Sequence, residues 1–291
     1  MVFMGRYFNF LIRWGILGAS LVFVIHTFCN HWQEIRGLEL QGQAWLLGGV
    51  AFAIACFAQL WLGVLWCWIL AAFKQPLPKR WAIITFLKHA PAKYIPGSVW
   101  HLYGQVKAAQ KKGLGLELAT LSVLLGPLFV IAGALGLALI STPYAEFMAS
   151  LLSVILIVVH PRVLNFLWQR LRKLQGKQTN IILHHYPLRV LLGGVVLMLL
   201  RGLVFVLIVL AFTPITWSAL RSLMSGFSVA WLLSLTIPAP AGMGVFEASA
   251  IDILHPYLSP GLLLAAVAIY RLVSISAELM GASCAYLLKE E

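Results

Sequence analysis

Residues 237–247 read Ile237-Pro238-Ala239-Pro240-Ala241-Gly242-Met243-Gly244-Val245-Phe246-Glu247, and residues 94–100 read Tyr94-Ile95-Pro96-Gly97-Ser98-Val99-Trp100. Each stretch interrupts an apolar region, the first within 222–254 and the second within 81–106. Proline cannot donate to a helix ladder and glycine permits non-helical backbone, so both regions read as helix, break, helix. Fresh helix starts are expected at Ser98 and near Val245. Both regions are apolar enough to enter a bilayer and too broken to cross it as one helix. Each is therefore expected to be a re-entrant hairpin.

Composition points the same way. Of 291 residues, 61% are hydrophobic and 10% charged, where a soluble domain carries about 25% charged residues. With a mean hydropathy of +0.92, the apolar excess must face something other than water, which excludes a water-soluble globule. A bilayer core needs about 20 apolar residues per helix, and six regions supply them: 14–28, 40–73, 118–140, 147–159 continuing past Pro161 toward Trp168, 190–212 and 261–288. Arg6 and Arg13 precede the first, but no small-x-small cleavage site follows it, so it is expected to be a retained helix. The expected fold is an all-α integral membrane protein of about six transmembrane helices plus two re-entrant helical hairpins.

The net charge of +12 lies between the spans, which makes lipid headgroups rather than nucleic acid the expected anionic partner. One side collects 17 of the 21 Lys and Arg residues: 2 before the first span, 8 over 74–112, 6 over 162–189 and 1 at the C-terminus. The positive-inside rule then places both termini and both basic loops in the cytoplasm of a multi-pass protein of the cell (inner or plasma) membrane. Pro96 and Pro238 are 142 residues apart, close to half the chain. Three spans per half make the second half (about 146–291) start on the opposite side from the first (about 1–145), an inverted repeat with its interrupted segments at equivalent places. The four cysteines, Cys29, Cys56, Cys67 and Cys284, form no CxxC or Cys/His cluster and are expected to be small apolar packing residues, with no metal or other cofactor.

Charges inside hydrocarbon are expensive and usually face a cavity or a partner. Arg201, Glu247, Arg271 and Glu278 are such residues. Arg271, Ser274 and Glu278 follow an i, i+3, i+7 spacing, which gathers them on one helix face, expected to point inward. Arg271 and Glu278 are two turns apart, roughly 10 Å along the axis, too far to neutralise each other, and Glu247 is the natural partner for Arg271 or Arg201. The arginines offer planar bidentate donors to a lipid phosphate. Backbone amides at the helix starts, at Ser98 and beside Gly242 and Gly244, add positive dipole ends. Lys93 and His101, with Lys88 and His89, surround the first break and are expected to gather anionic headgroups at an entrance.

The pair Ile95-Pro96-Gly97-Ser98-Val99-Trp100 and Pro240-Ala241-Gly242-Met243-Gly244-Val245-Phe246-Glu247, with Tyr270-Arg271 in the last span, resembles the flippase-like family, the transmembrane region of lysylphosphatidylglycerol synthases and its stand-alone relatives. The resemblance implies translocation of an anionic or modified lipid between leaflets. The chain departs from the family pattern at three points. Trp100 and His101 stand where many relatives carry Gly-Glu after the first break. Ala241 replaces a glycine, and Phe246 replaces the arginine before the retained Glu247. Substrate identity does not carry over, and the soluble aminoacyltransferase domain is not part of the resemblance, so lipid synthesis is not implied.

Three other readings compete. The intramembrane charges are internal ion pairs that fix helix packing; or the chain is a non-transporting scaffold or accessory subunit of a membrane-bound synthase or glycosyltransferase; or Ser98 with His101, or Asp252 with His255, serve an intramembrane enzyme. Ser98 at a helix start is already explained as an N-cap, and the expectation is that the chain is not an enzyme. No GxxxxGK[ST] motif occurs, so ATP is not the expected drive.

Overall fold

A computed structural model describes residues 33, 37, 41–94, 99–175, 182–236, 242 and 244–288, with backbone alone at 171–175. Among these residues the structure is helical and contains no strand. The long uncharged run around four tryptophans becomes α1 (Ala44–Ala72), whose 29 residues run about 44 Å, more than the hydrocarbon thickness of about 30 Å. It stops where Lys74 takes a positive φ of 57° and the Gln75 amide closes back on the Leu70 carbonyl. Pro76 and Pro78 then reset the chain for α2 (Lys79–His89), which tightens into a 3₁₀ turn at Ala90–Tyr94.

α3 (Trp100–Lys111) follows, beginning two residues beyond the expected start at Ser98. Ile95 to Ser98 lie outside the described residues. The chain continues as α4 (Leu116–Ala138), α5 (Ala145–Val158) and α6 (Pro161–Gln175). It then forms α7 (Leu188–Leu210), α8 (Trp217–Leu233), α9 (Val245–Leu254) and α10 (Pro260–Leu287). Pro127 is carried inside α4 without ending it.

Four helices, α1, α4, α7 and α10, are long and apolar enough to cross a membrane, and α5 with α6 makes a fifth if the bent pair counts as one span. The chain is thus a multi-pass membrane protein. The fourth expected span, 147–159 continuing past Pro161, corresponds to α5 and α6, which meet at 67°. Pro161 opens α6, where its missing N–H is not needed, and α6 carries Arg162 and Arg170 on its exposed side. The expected first span, 14–28, lies outside the described residues.

Large apolar side chains such as Trp45, Phe57, Leu192 and Leu272 remain exposed on the outer surface, as suits contact with lipid tails. Since tails are as apolar as leucine, association between helices depends on close packing. α4 and α7 cross at Gly133 and Gly194, where a Cβ on Gly133 would stand 2.5 Å from the Gly194 carbonyl oxygen and one on Gly194 would strike the Phe129 carbonyl. Gly194→Ala is expected to cost about 1–3 kcal/mol in thermal unfolding of the micellar protein, although alanine is the better helix former. Gly136→Ala, on the same helix as Gly133 but with nothing within 4 Å, is expected to cause no loss.

The packing partners repeat between the halves. α1 packs on α7; α1 also meets α2, α4 and α10, while α7 meets α8, α10 and α4. α2 lies on α10 and α8 lies on α4; α3 packs on α4 and α9 packs on α10. Exchanging α1 with α7, α2 with α8, α3 with α9 and α4 with α10 leaves this set of neighbours unchanged.

Candidate functional site

The second break is held by charge. Gly242 and Gly244 adopt φ of 65° and 84°, a region that L side chains rarely enter. A Cβ at Gly242 would also lie 2.8 Å from that of Ser234. The break delivers Glu247 to the third position of α9, where Oε2 accepts the Gly244 N–H at 2.6 Å. That bond satisfies one of the amides a helix start leaves open. The other carboxylate oxygen accepts Arg271 Nε at 2.9 Å, and Arg271 Nη2 donates to the Gly242 carbonyl at 3.2 Å. The expected Glu247–Arg271 pair is present. It closes a ring through α10, the break and the first turn of α9, so the Gly244 amide is turned to Glu247.

Phe246 explains itself in the same frame. Its ring lies 5.0 Å beneath the Arg271 guanidinium and packs edge-on against Phe227, at 5.6 Å, and tilted against Tyr270, at 5.7 Å. It is an apolar shelf that fixes the guanidinium plane.

The first break is tied to the same helix. Lys93, in the 3₁₀ turn, reaches Glu278 Oε1 at 2.5 Å, and Gln59 Nε2 on α1 donates to that oxygen at 3.1 Å. Arg271 and Glu278, on one face of α10, thus each secure one break, and Ser274 lies between them. The four basic residues expected around the first break turn in two directions. Lys88 turns over the Tyr286 ring and His89 bonds the Thr85 carbonyl of its own helix, while Lys93 and His101 face inward.

Between the two breaks lies a cavity of about 430 Å³, walled by α1, α2, the 3₁₀ turn, α3, α4, α7, α8, the start of α9 and α10. Of the sequence-derived candidates, Lys93, His101, Arg201, Gly242, Arg271 and Glu278 line it. Glu247 and Gly244 stand behind Arg271, and Ser98 lies outside the described residues. Arg201 enters from α7 with its guanidinium 5.7 Å from the Trp231 ring, and among the described residues no carboxylate pairs with it. Among the described residues, three cations (Lys93, Arg201, Arg271) against two carboxylates (Glu247, Glu278) leave the site one positive charge in excess.

Gln59 and Gln105 were not singled out from the sequence. Their signal was present: Gln59 is an amide within an uncharged apolar run, and Gln105 stands one turn after His101. Both are buried. Among the described residues no group of three His, Cys, Asp or Glu side chains is arranged to hold a metal ion. In comparisons with known proteins, no family model matches the chain and no curated protein matches it.

Proposed function

We propose that this protein binds the headgroup of an anionic lipid in the central cavity and passes it between leaflets, the activity implied by its resemblance to the flippase-like family. The observation that carries the reading is the convergence of both interrupted segments on one largely apolar cavity whose charged groups leave a positive excess. Arg201 is the phosphate ligand in this scheme, because its guanidinium lines the cavity with no carboxylate to satisfy first. Arg271 and Lys93 complete the cationic wall.

The two helix–break–helix segments are re-entrant hairpins in this reading, and the halves, about 1–145 and 146–291, form an inverted repeat of about six spans. The interchangeable packing partners of α1–α4 and α7–α10 support it. Both termini are cytoplasmic, and rocking of one half against the other exposes the cavity to each leaflet in turn. The chain's own residues supply the binding chemistry without a cofactor.

Reconstitution tests this directly. Proteoliposomes carrying headgroup-labelled anionic lipid are expected to exchange label between leaflets faster than protein-free vesicles, and Arg201→Gln is expected to slow the exchange about tenfold, the loss of one charge-assisted contact. Wild-type vesicles no faster than empty ones would overturn the reading.

A second reading has one observation in its favour. Both carboxylates are committed to cations, as expected of charges that only fasten helices. A scaffold for a membrane-bound synthase or glycosyltransferase would use them so. It requires that Arg201→Gln leave function intact.

A further inference from the structure

Three polar atoms on the cavity wall are left without partners. His101 Nδ1, Gln105 Nε2 and Glu278 Oε2 are buried with no hydrogen bond among the described residues, and all three side chains line the cavity. Gln105 and Glu278 are each 3% exposed. His101 and Gln105 are one turn apart on α3 and so share a face. Buried donors and acceptors are almost always paired, and their isolation here points to a guest that pairs them. The atoms are of mixed kind: the amide nitrogen donates, the carboxylate oxygen accepts, and the imidazole nitrogen does either according to its tautomer.

We infer that His101, Gln105 and Glu278 form a hydroxyl-reading subsite, and that the headgroup bound here is a phosphodiester carrying a polyol or sugar. The inference rests on the headgroup-binding reading above and names its substrate class. A hydroxyl both donates and accepts, so a polyol satisfies all three atoms at once. An ammonium only donates, so it pairs Gln105 only if the amide turns its oxygen inward, whereas a hydroxyl serves either orientation. It would also enter a site that already holds one excess positive charge, and would compete with Lys93 for Glu278. The same excess matches the single negative charge of a phosphodiester, whereas a phosphomonoester brings more negative charge than the site leaves open.

Binding of three short-chain lipids to the purified full chain in zwitterionic micelles separates these cases. Dihexanoyl phosphatidylglycerol has the diester and two hydroxyls. Dihexanoyl phosphatidylmethanol has the same diester and charge without a hydroxyl, and dihexanoyl phosphatidylethanolamine has the diester with an ammonium. The glycerol lipid is expected to bind about tenfold more tightly than the methanol lipid, with the ethanolamine lipid weakest. Gln105→Leu should bring the first ratio toward one, and His101→Phe should do so independently if the first variant does not fold. Equal binding of the two anionic diesters by wild type overturns the subsite and leaves the carrier reading standing. Tightest binding of the ethanolamine lipid overturns it in favour of an ammonium site. No binding by any of the three defeats both. Glycerophosphoglycerol, the diester without acyl chains, binding as tightly as the lipid would keep the subsite and overturn the lipid as its source.

Discussion

Arg271→Gln is expected to lower stability by about 3–5 kcal/mol and to cut lipid exchange about 100-fold, the largest effect of any single replacement in this protein. The side chain holds Glu247 through Nε, the Gly242 carbonyl through Nη2, and the face of Phe246. Its loss leaves a buried carboxylate facing only one amide and frees a break whose glycines have no helix to return to. Arg271→Lys keeps the charge but cannot reach carboxylate and carbonyl together with a planar fork, and should recover only part of the stability. The decisive variant is Arg271→Gln with Glu247→Gln. Removing both charges removes the penalty of the orphaned one, so thermal unfolding in micelles should return to within about 1 kcal/mol of wild type. Exchange in vesicles should not return, because the cationic wall has lost a member. A double variant that regains both would make this pair a structural fastener alone.

The parts of this architecture that were legible in the sequence are those governed by local rules. Proline and glycine at 238–244 forbid a continuous helix whatever surrounds them, and the chain does break between α8 and α9. The i, i+3, i+7 spacing of Arg271, Ser274 and Glu278 fixes a shared face by helix geometry alone, and all three line the cavity. What was not legible depended on distant contacts. Lys93 reads as one of several loop lysines until its partner 185 residues away is known. Gln59, an amide in an uncharged helix, acquires its meaning only from Glu278, 219 residues on. The 67° turn between α5 and α6 was missed for a different reason. Pro161 suits the first turn of a new helix and a kink in an old one alike, and only packing decides between them.

The Lys93–Glu278 pair yields the second large effect, and it bears on how the first break moves. Lys93 is carried on a 3₁₀ turn of five residues, a geometry with poorer hydrogen bonds than an α-helix, so the turn depends on its tie to α10. Lys93→Met leaves the Glu278 carboxylate, 3% exposed, with neutral partners alone, the Gln59 amide and the Tyr94 hydroxyl. It is expected to cost about 3 kcal/mol, because the carboxylate left behind is buried although Lys93 itself is partly exposed. Reversing the pair, Lys93→Glu with Glu278→Lys, should restore most of that loss, because Gln59 can turn its amide and offer oxygen to the new ammonium. A cysteine at Ala92 in a cysteine-free background reports the same event locally. Maleimide labelling there should rise about tenfold in Lys93→Met, a shift of about 1.4 kcal/mol in the opening equilibrium of the turn, and fall back in the reversed pair. If labelling is unchanged in Lys93→Met while stability drops, the pair fastens α10 without restraining the break. The first half would then have no latch to release when a headgroup arrives.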